Sequence, residues 1–197
     1  MMSLIAAWSG ARARRISVVS HRHSASTTLT NPPAFEVPDF SLTDQDGKTV
    51  TKADLKGEVW VAAFIFTRCA GSCPMMSSKM GQLQKAIADP KVKLVSFTLD
   101  PERDTPAVLK EYAAKFGAEP GKWMFLTGPR SKIVEIALGL KLPTQFSDTN
   151  PLDIIHSDRF VLIGKDGRVA GAGYYTGTDE NDIKRLAADA SKLASAP

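Results

Sequence analysis

Cys69 and Cys73 are the only cysteines of the chain, with three residues between them in Cys69-Ala70-Gly71-Ser72-Cys73-Pro74. The thiolate form of such a pair attacks disulfides and binds soft metals, and a helix N-terminus favours that anion. The apolar run at 59–66 reads as a buried strand, and from Pro74 onward the pattern is helical. Proline fits the first helical turn, where its missing N–H leaves no bond unmade. The dithiol therefore lies where a strand ends and a helix begins, and the expectation is a pair with lowered thiol pKa values. Two cysteines are too few for a disulfide framework, so redox or metal chemistry is indicated.

His156 is the third residue of this kind. The other histidines, His21 and His23, fall within residues 1–35, a stretch with Arg12, Arg14, Arg15 and Arg22 and no acid. The formal charge of the whole chain is +4; with those four arginines set aside, 21 basic residues face 21 acidic ones. The remainder is neutral and carries no basic stripe interleaved with aromatics, which excludes nucleic acid as a partner. No apolar run of about 18 residues is present, so no transmembrane tether is visible. Residues 1–35 are read as a basic arm, disordered or targeting, and 36–197 as one domain.

The elements that must position these residues follow from pattern. Asp44-Gln45-Asp46-Gly47 marks an N-terminal hairpin. Residues 73–88 form a helix with Met76, Met80, Leu83 and Ile87 on its inner face. Met75 and Met76 carry soft thioethers, but their helical spacing makes them core filler. A strand at 92–99 leads through Asp100-Pro101-Glu102-Arg103-Asp104-Thr105-Pro106 into a helix ending near Phe116, with Asp104 or Thr105 as N-cap. Capping accounts for Asp104 without an acid–base role. A strand at 123–127 precedes a helix at 131–140 with Ile133, Val134, Ala137 and Leu138 inward, then an irregular loop at 141–155 that delivers His156. Strands at 159–163 and 168–173 join through Gly164-Lys165-Asp166-Gly167, and a last helix runs from Asp179 and Glu180 to Leu193. This order is an α/β pattern with a mixed central sheet flanked by helices, and it looks thioredoxin-like.

Together, Cys69-Ala-Gly-Ser-Cys73-Pro74, Asp100-Pro-Glu-Arg-Asp-Thr105, and a single His156 ahead of an apolar strand and Asp166-Gly167 resemble the Sco/SenC family. The likeness runs from about Phe40 to Leu193. It implies a thioredoxin-like copper metallochaperone for assembly of the CuA site of cytochrome c oxidase, with Cys69, Cys73 and His156 as metal ligands. Its implied partners are subunit II of that oxidase, or another copper-receiving protein, and an upstream copper donor. Its implied place is the periplasmic, outer face of the inner membrane, or the mitochondrial intermembrane space. Two thiolates and an imidazole suit Cu(I), with Cu(II) as a second form. One departure stands out: many relatives carry an Asp immediately before this His, where this chain has Ile155, with Asp153 and Asp158 the acids nearby.

An enzyme reading competes. Cys69 and Cys73 as a catalytic redox pair would make a thiol–disulfide oxidoreductase, and a sensor working through their disulfide is a further form of it. Oxidoreductases of that kind normally have two residues between their cysteines, not three. A peroxidase would carry Thr three residues before its reactive Cys, where this chain has Phe66. On a helix, positions i and i+4 hold their Cβ atoms ~5–6 Å apart, whereas a disulfide wants about 3.5–4.5 Å. A disulfide therefore requires Cys69 to sit in a loop, and Ala70-Gly71-Ser72 supplies one.

Overall fold

The computed structural model describes residues 35–87, 89–147 and 154–196. Nearly all of the expected basic arm, and Asp153, lie outside these residues. The hairpin signal makes β1 (Ser41–Thr43) and β2 (Thr49–Thr51), antiparallel with Leu42 opposite Val50. Asp44 Oδ1 accepts from the backbone N–H of Asp46 and Lys48 at 2.9 and 2.8 Å, and Gly47 takes a φ of +79° that a side chain would resist.

β3 (Val59–Ile65) is buried at every position. Such a run can be apolar throughout because helices cover both faces of its sheet. It is followed by α1 (Ser72–Ala86), β4 (Val92–Thr98), α2 (Pro106–Lys115), β5 (Trp123–Leu126) and α3 (Arg130–Gly139). The chain then makes β6 (Thr144–Phe146), β7 (Ile154–His156), β8 (Arg159–Ile163), β9 (Val169–Thr176) and α4 (Glu180–Ser195). The main sheet has the order β5-β4-β3-β8-β9; β3, β4 and β5 are parallel, and β8 and β9 are antiparallel additions.

Alternation along β3 divides the core in two. Val61, Ala63 and Ile65 face Met76, Met80 and Leu83 of α1, with Leu109 of α2 and Leu186 of α4 in the same layer. Trp60, Ala62 and Phe64 face the other side, with Ile133 and Ile136 of α3, Leu140 just past its end, and Leu42 and Val50 of the hairpin. The mixed sheet, flanking helices and hairpin are those expected.

Local expectations need correction. α3 turns Ile133, Ile136, Ala137 and Leu140 inward, whereas Val134 is half-buried and Leu138 is 55% exposed. Apolar residues cover most of this helix's circumference, so two overlapping arcs fit the 3.6-residue period, and contact with the sheet selects one. The loop at 141–155 is not wholly irregular, because β6 and β7 pair antiparallel with Thr144 opposite His156. β9 continues past Gly173 through Tyr174, Tyr175 and Thr176, all strand-favouring types. Met75, expected in the core, is 54% exposed, while Met76 is fully buried.

The α3 face is testable by urea unfolding. Ile136→Ala should cost about 2–5 kcal/mol, and Leu138→Ala should stay within about 0.5 kcal/mol of the parent. Equal losses would refute the observed face.

Candidate metal and thiol centre

The thiol loop leaves the sheet where β3 ends. Phe66 is still buried; residues 67 and 68 turn, and the Cys69 N–H closes on the Phe66 carbonyl at 3.2 Å. α1 starts at Ser72 with Gly71 as N-cap, two positions earlier than Pro74 suggests, so Cys73 lies inside its first turn. Cys69 remains in the loop, as a disulfide would require, and both cysteines are free thiols.

The two thiols have unlike surroundings. Cys69 is half-buried, and its Sγ accepts from the Gly71 N–H at 3.3 Å. It also lines an open groove of about 810 Å³ together with Phe66, Arg68, Phe146, Ile154 and Ile155. Cys73 has no exposed surface. Burial pushes its thiol well above the ordinary range, against a smaller lowering by the Phe66 backbone. The lowered pKa expected from the helix start is therefore overturned for Cys73: loss of water outweighs the favourable end of α1.

β7 carries His156 to the same place. Its Nε2 lies 3.1 Å from Cys73 Sγ, and its Nδ1 lies 2.9 Å from the Ser157 carbonyl. A carbonyl only accepts, so Nδ1 bears the proton and donates it. Nε2 is then a bare lone pair aimed at sulfur, and the Cys73 S–H donates to it. The ring also stands edge-on to Phe66, with centroids 5.8 Å apart. Burial lowers the His156 pKa from 6.5, against smaller raising effects of the Ser157 carbonyl and the Asp158 charge. The neutral ring, the form that ligates metals, is thereby favoured.

The structure brings Cys73 and His156 into contact and sets Cys69 at the groove beside them. Among the described residues, no three His, Cys, Asp or Glu side chains are gathered in a metal-holding group. A three-coordinate ion would draw in the Cys69 thiol, which already interacts with Cys73 and would give up its Gly71 N–H contact. The group that orients the imidazole is the Ser157 carbonyl, which side-chain reasoning did not single out. A backbone acceptor leaves no trace in residue type, and Ile155, 67% exposed, has no part in it.

The acidic turn after β4 is also revised. Thr105, not Asp104, caps α2, accepting from the Val108 N–H at 3.4 Å. Asp104 is fully buried and accepts from the Thr67 N–H at 3.1 Å, the Thr67 hydroxyl at 2.5 Å and the Thr98 hydroxyl. Asp100, also buried, accepts from Arg103 Nη1 at 3.1 Å.

A mixed sheet with helices on both faces and a dithiol where β3 runs into α1 define a thioredoxin-like protein. The SCO1/SenC family profile matches residues 28–194, and this chain belongs to that family. It is 40% identical over 144 residues to the SCO1 protein homolog of Bacillus subtilis, covering 72% of this chain and 75% of that one. A SCO1/SenC family lipoprotein from Bacillus anthracis superposes with a TM-score of 0.75 at 33% identity, over 83% of this chain and 98% of that one. BsSco, described with a disulfide switch and as a member of the Sco family of cytochrome c oxidase assembly proteins, gives a TM-score of 0.73 at 36% identity, over 84% and 97% of the two chains. ScoI of Bradyrhizobium japonicum, solved with copper bound, gives 0.68 at 28% identity, over 80% and 99%.

Two outcomes follow. In the reduced, metal-free protein, iodoacetamide should label Cys69 at least ~10-fold faster than Cys73, read by peptide mass spectrometry, because only Cys69 reaches solvent. Equal rates would contradict the burial of Cys73. The His156 ring should titrate below 6.5 by NMR. A histidine pKa depressed by folding adds stability that is present in full above the unfolded value and lost as pH falls through the folded one. Unfolding midpoints should therefore drop below about pH 6.5, and His156→Phe should flatten that drop.

Proposed function

We propose that this chain is a copper metallochaperone that holds Cu(I) through Cys69, Cys73 and His156 and passes it to the CuA site of cytochrome c oxidase. The observation that carries this reading is the 3.1 Å contact between Cys73 Sγ and His156 Nε2, with the Cys69 thiol at the adjoining groove. Cu(I) favours soft ligands in low coordination, and a protonated Nδ1 leaves Nε2 free for it. Copper bound to ScoI of Bradyrhizobium japonicum supports the cargo, and the family description of BsSco supports the oxidase as its destination. Cu(II) is the second form that the site would take.

Copper crosses between proteins most readily when one ligand is exposed. Cys69 meets that condition, since an incoming thiolate or imidazole can approach along the groove while Cys73 and His156 still hold the ion. The receiving partner is subunit II of the oxidase or another copper-receiving protein, and a donor upstream must load the site. The working place is the outer face of the inner membrane or its mitochondrial equivalent, in keeping with the lipoprotein relative. Within the chain, residues 36–197 form the working domain and 1–35 the arm that addresses it.

Thiol–disulfide exchange is the second reading, favoured by two free thiols, one of them on a loop able to close, and by the disulfide switch described for BsSco. The two uses exclude each other at any moment, because a disulfide removes both sulfur ligands.

Anaerobic titration of the reduced protein with Cu(I) should give about one ion per chain. Cys69→Ser, Cys73→Ser and His156→Ala should each weaken binding by more than the ~10–100-fold that loss of a group behind a ligand costs. Wild-type affinity in His156→Ala would remove the histidine from the ligand set. Rapid reduction of insulin disulfides without copper uptake would favour the exchange reading.

A further inference from the structure

The full burial of Asp104 calls for an explanation, because an ionised carboxylate out of water is costly unless its oxygens are satisfied. They are satisfied here, by donors that are all neutral. Asp104 Oδ2 takes the Thr67 N–H at 3.1 Å and the Thr98 hydroxyl; Oδ1 takes the Thr67 hydroxyl at 2.5 Å. Thr98 belongs to β4, a rigid element. Thr67 belongs to the loop that carries Cys69, two residues away. The Asp104 N–H in turn donates to the Asp100 carbonyl at 2.8 Å, which closes the acidic turn on itself.

The consequence is directional. Two bonds from one carboxylate fix both the backbone and the side chain of Thr67, the first residue after the buried Phe66. The next constraint along the chain is the Cys69 N–H on the Phe66 carbonyl. The path by which the thiol loop leaves the sheet is thus set from the acidic turn after β4, across 37 residues of sequence. The Cys69 side chain itself is held more lightly: its Sγ accepts from the Gly71 N–H at 3.3 Å and interacts with the Cys73 thiol.

We propose that Asp104 is a positioning residue that acts through Thr67: it presets the thiol loop so that the Cys69 sulfur can close on Cys73 and His156. This rests on the copper reading above and deepens it. Asp104 touches neither the metal nor the thiols. Its effect is to spare the loop the ordering cost that binding would otherwise carry, the ordinary gain from a preorganised site. The same preset serves disulfide closure, in which Cys69 and Cys73 give up two protons and two electrons to glutathione disulfide. One S–S bond forms in the protein, the one in the oxidant breaks, and two molecules of glutathione leave.

Thr67→Val is the decisive variant, because it keeps the shape and the backbone bond and deletes the hydroxyl donor. Thr67→Ser restores that donor, and Thr98→Val deletes a donor to the same carboxylate from the sheet side. Expected for Thr67→Val are Cu(I) affinity and a glutathione equilibrium constant each shifted on the order of 10-fold, the lower end of what groups behind a ligand contribute. Thr67→Ser should match the wild type in both, and Thr98→Val should lower the melting temperature with little change in either. Asp104→Asn, which sets an amide donor among donors, gives the same direction where Thr67→Val does not fold. Wild-type affinity and equilibrium in Thr67→Val, with only its melting temperature lowered, would overturn the proposal, as would equal shifts in Thr98→Val. Absence of copper uptake by the wild type would sink the copper reading alone; the glutathione equilibrium, measured without metal, would still decide the role of Asp104.

Discussion

The parallel pairing of β3 with β4 is the constraint on which the centre depends. Ile65 stands opposite Thr98, and the Leu99 N–H reaches the Ile65 carbonyl at 2.8 Å. Parallel strands end at the same edge of a sheet, so the loop that follows one must lie beside the turn that follows the other. In this chain those segments are the thiol loop and the acidic turn. Their adjacency is why a carboxylate far away in sequence can hold Thr67. β8, antiparallel on the other side of β3, brings the segment that precedes it to the same edge, and that segment ends in His156.

Within this frame the chemistry is decided by access to water. Cys73 stands in the first turn of a helix, where the backbone favours an anion, yet it is so enclosed that its neutral form prevails. Burial likewise keeps His156 neutral, and the Ser157 carbonyl selects which nitrogen keeps the proton. The pair at rest is a thiol donating to an imidazole, in which neither partner has paid for charge in a dry place. An arriving cation changes that balance, since its own charge compensates a thiolate that burial alone would forbid. The enclosed half of the centre is therefore stable when empty and receptive when a soft cation enters.

How far the sequence discloses all this depends on how local each cause is. β3 was legible because burial on both faces leaves a continuous apolar run. Cys69, Cys73 and His156 were legible from residue type, and the helix after the thiol loop from its spaced Met76, Met80 and Leu83. The role of Asp104 was not, because Asp-Thr-Pro offers two capping side chains in succession and the partner that claims the first is Thr67, beyond any window of pattern. The strands that frame His156 are three residues each, too short to announce a period. The inward arc of α3 is hidden for the opposite reason: its apolar residues are too many for their spacing to single out one face.

Among the described residues, β6 and β7 pair with each other and with no strand of the main sheet. A two-stranded ribbon of this length is marginal by itself and owes its persistence to what it rests on, here the contacts of Phe146 and Ile154 with the core and the Arg130 guanidinium 5.2 Å above the Phe146 ring. Opening it breaks a few ladder bonds and leaves the five central strands intact. Cys73, by contrast, can leave its place only if α1 frays or the sheet fails. The imidazole and the buried sulfur are thus released by different fluctuations, one shallow and frequent, the other deep and rare. A centre built in this way comes apart from the histidine side first.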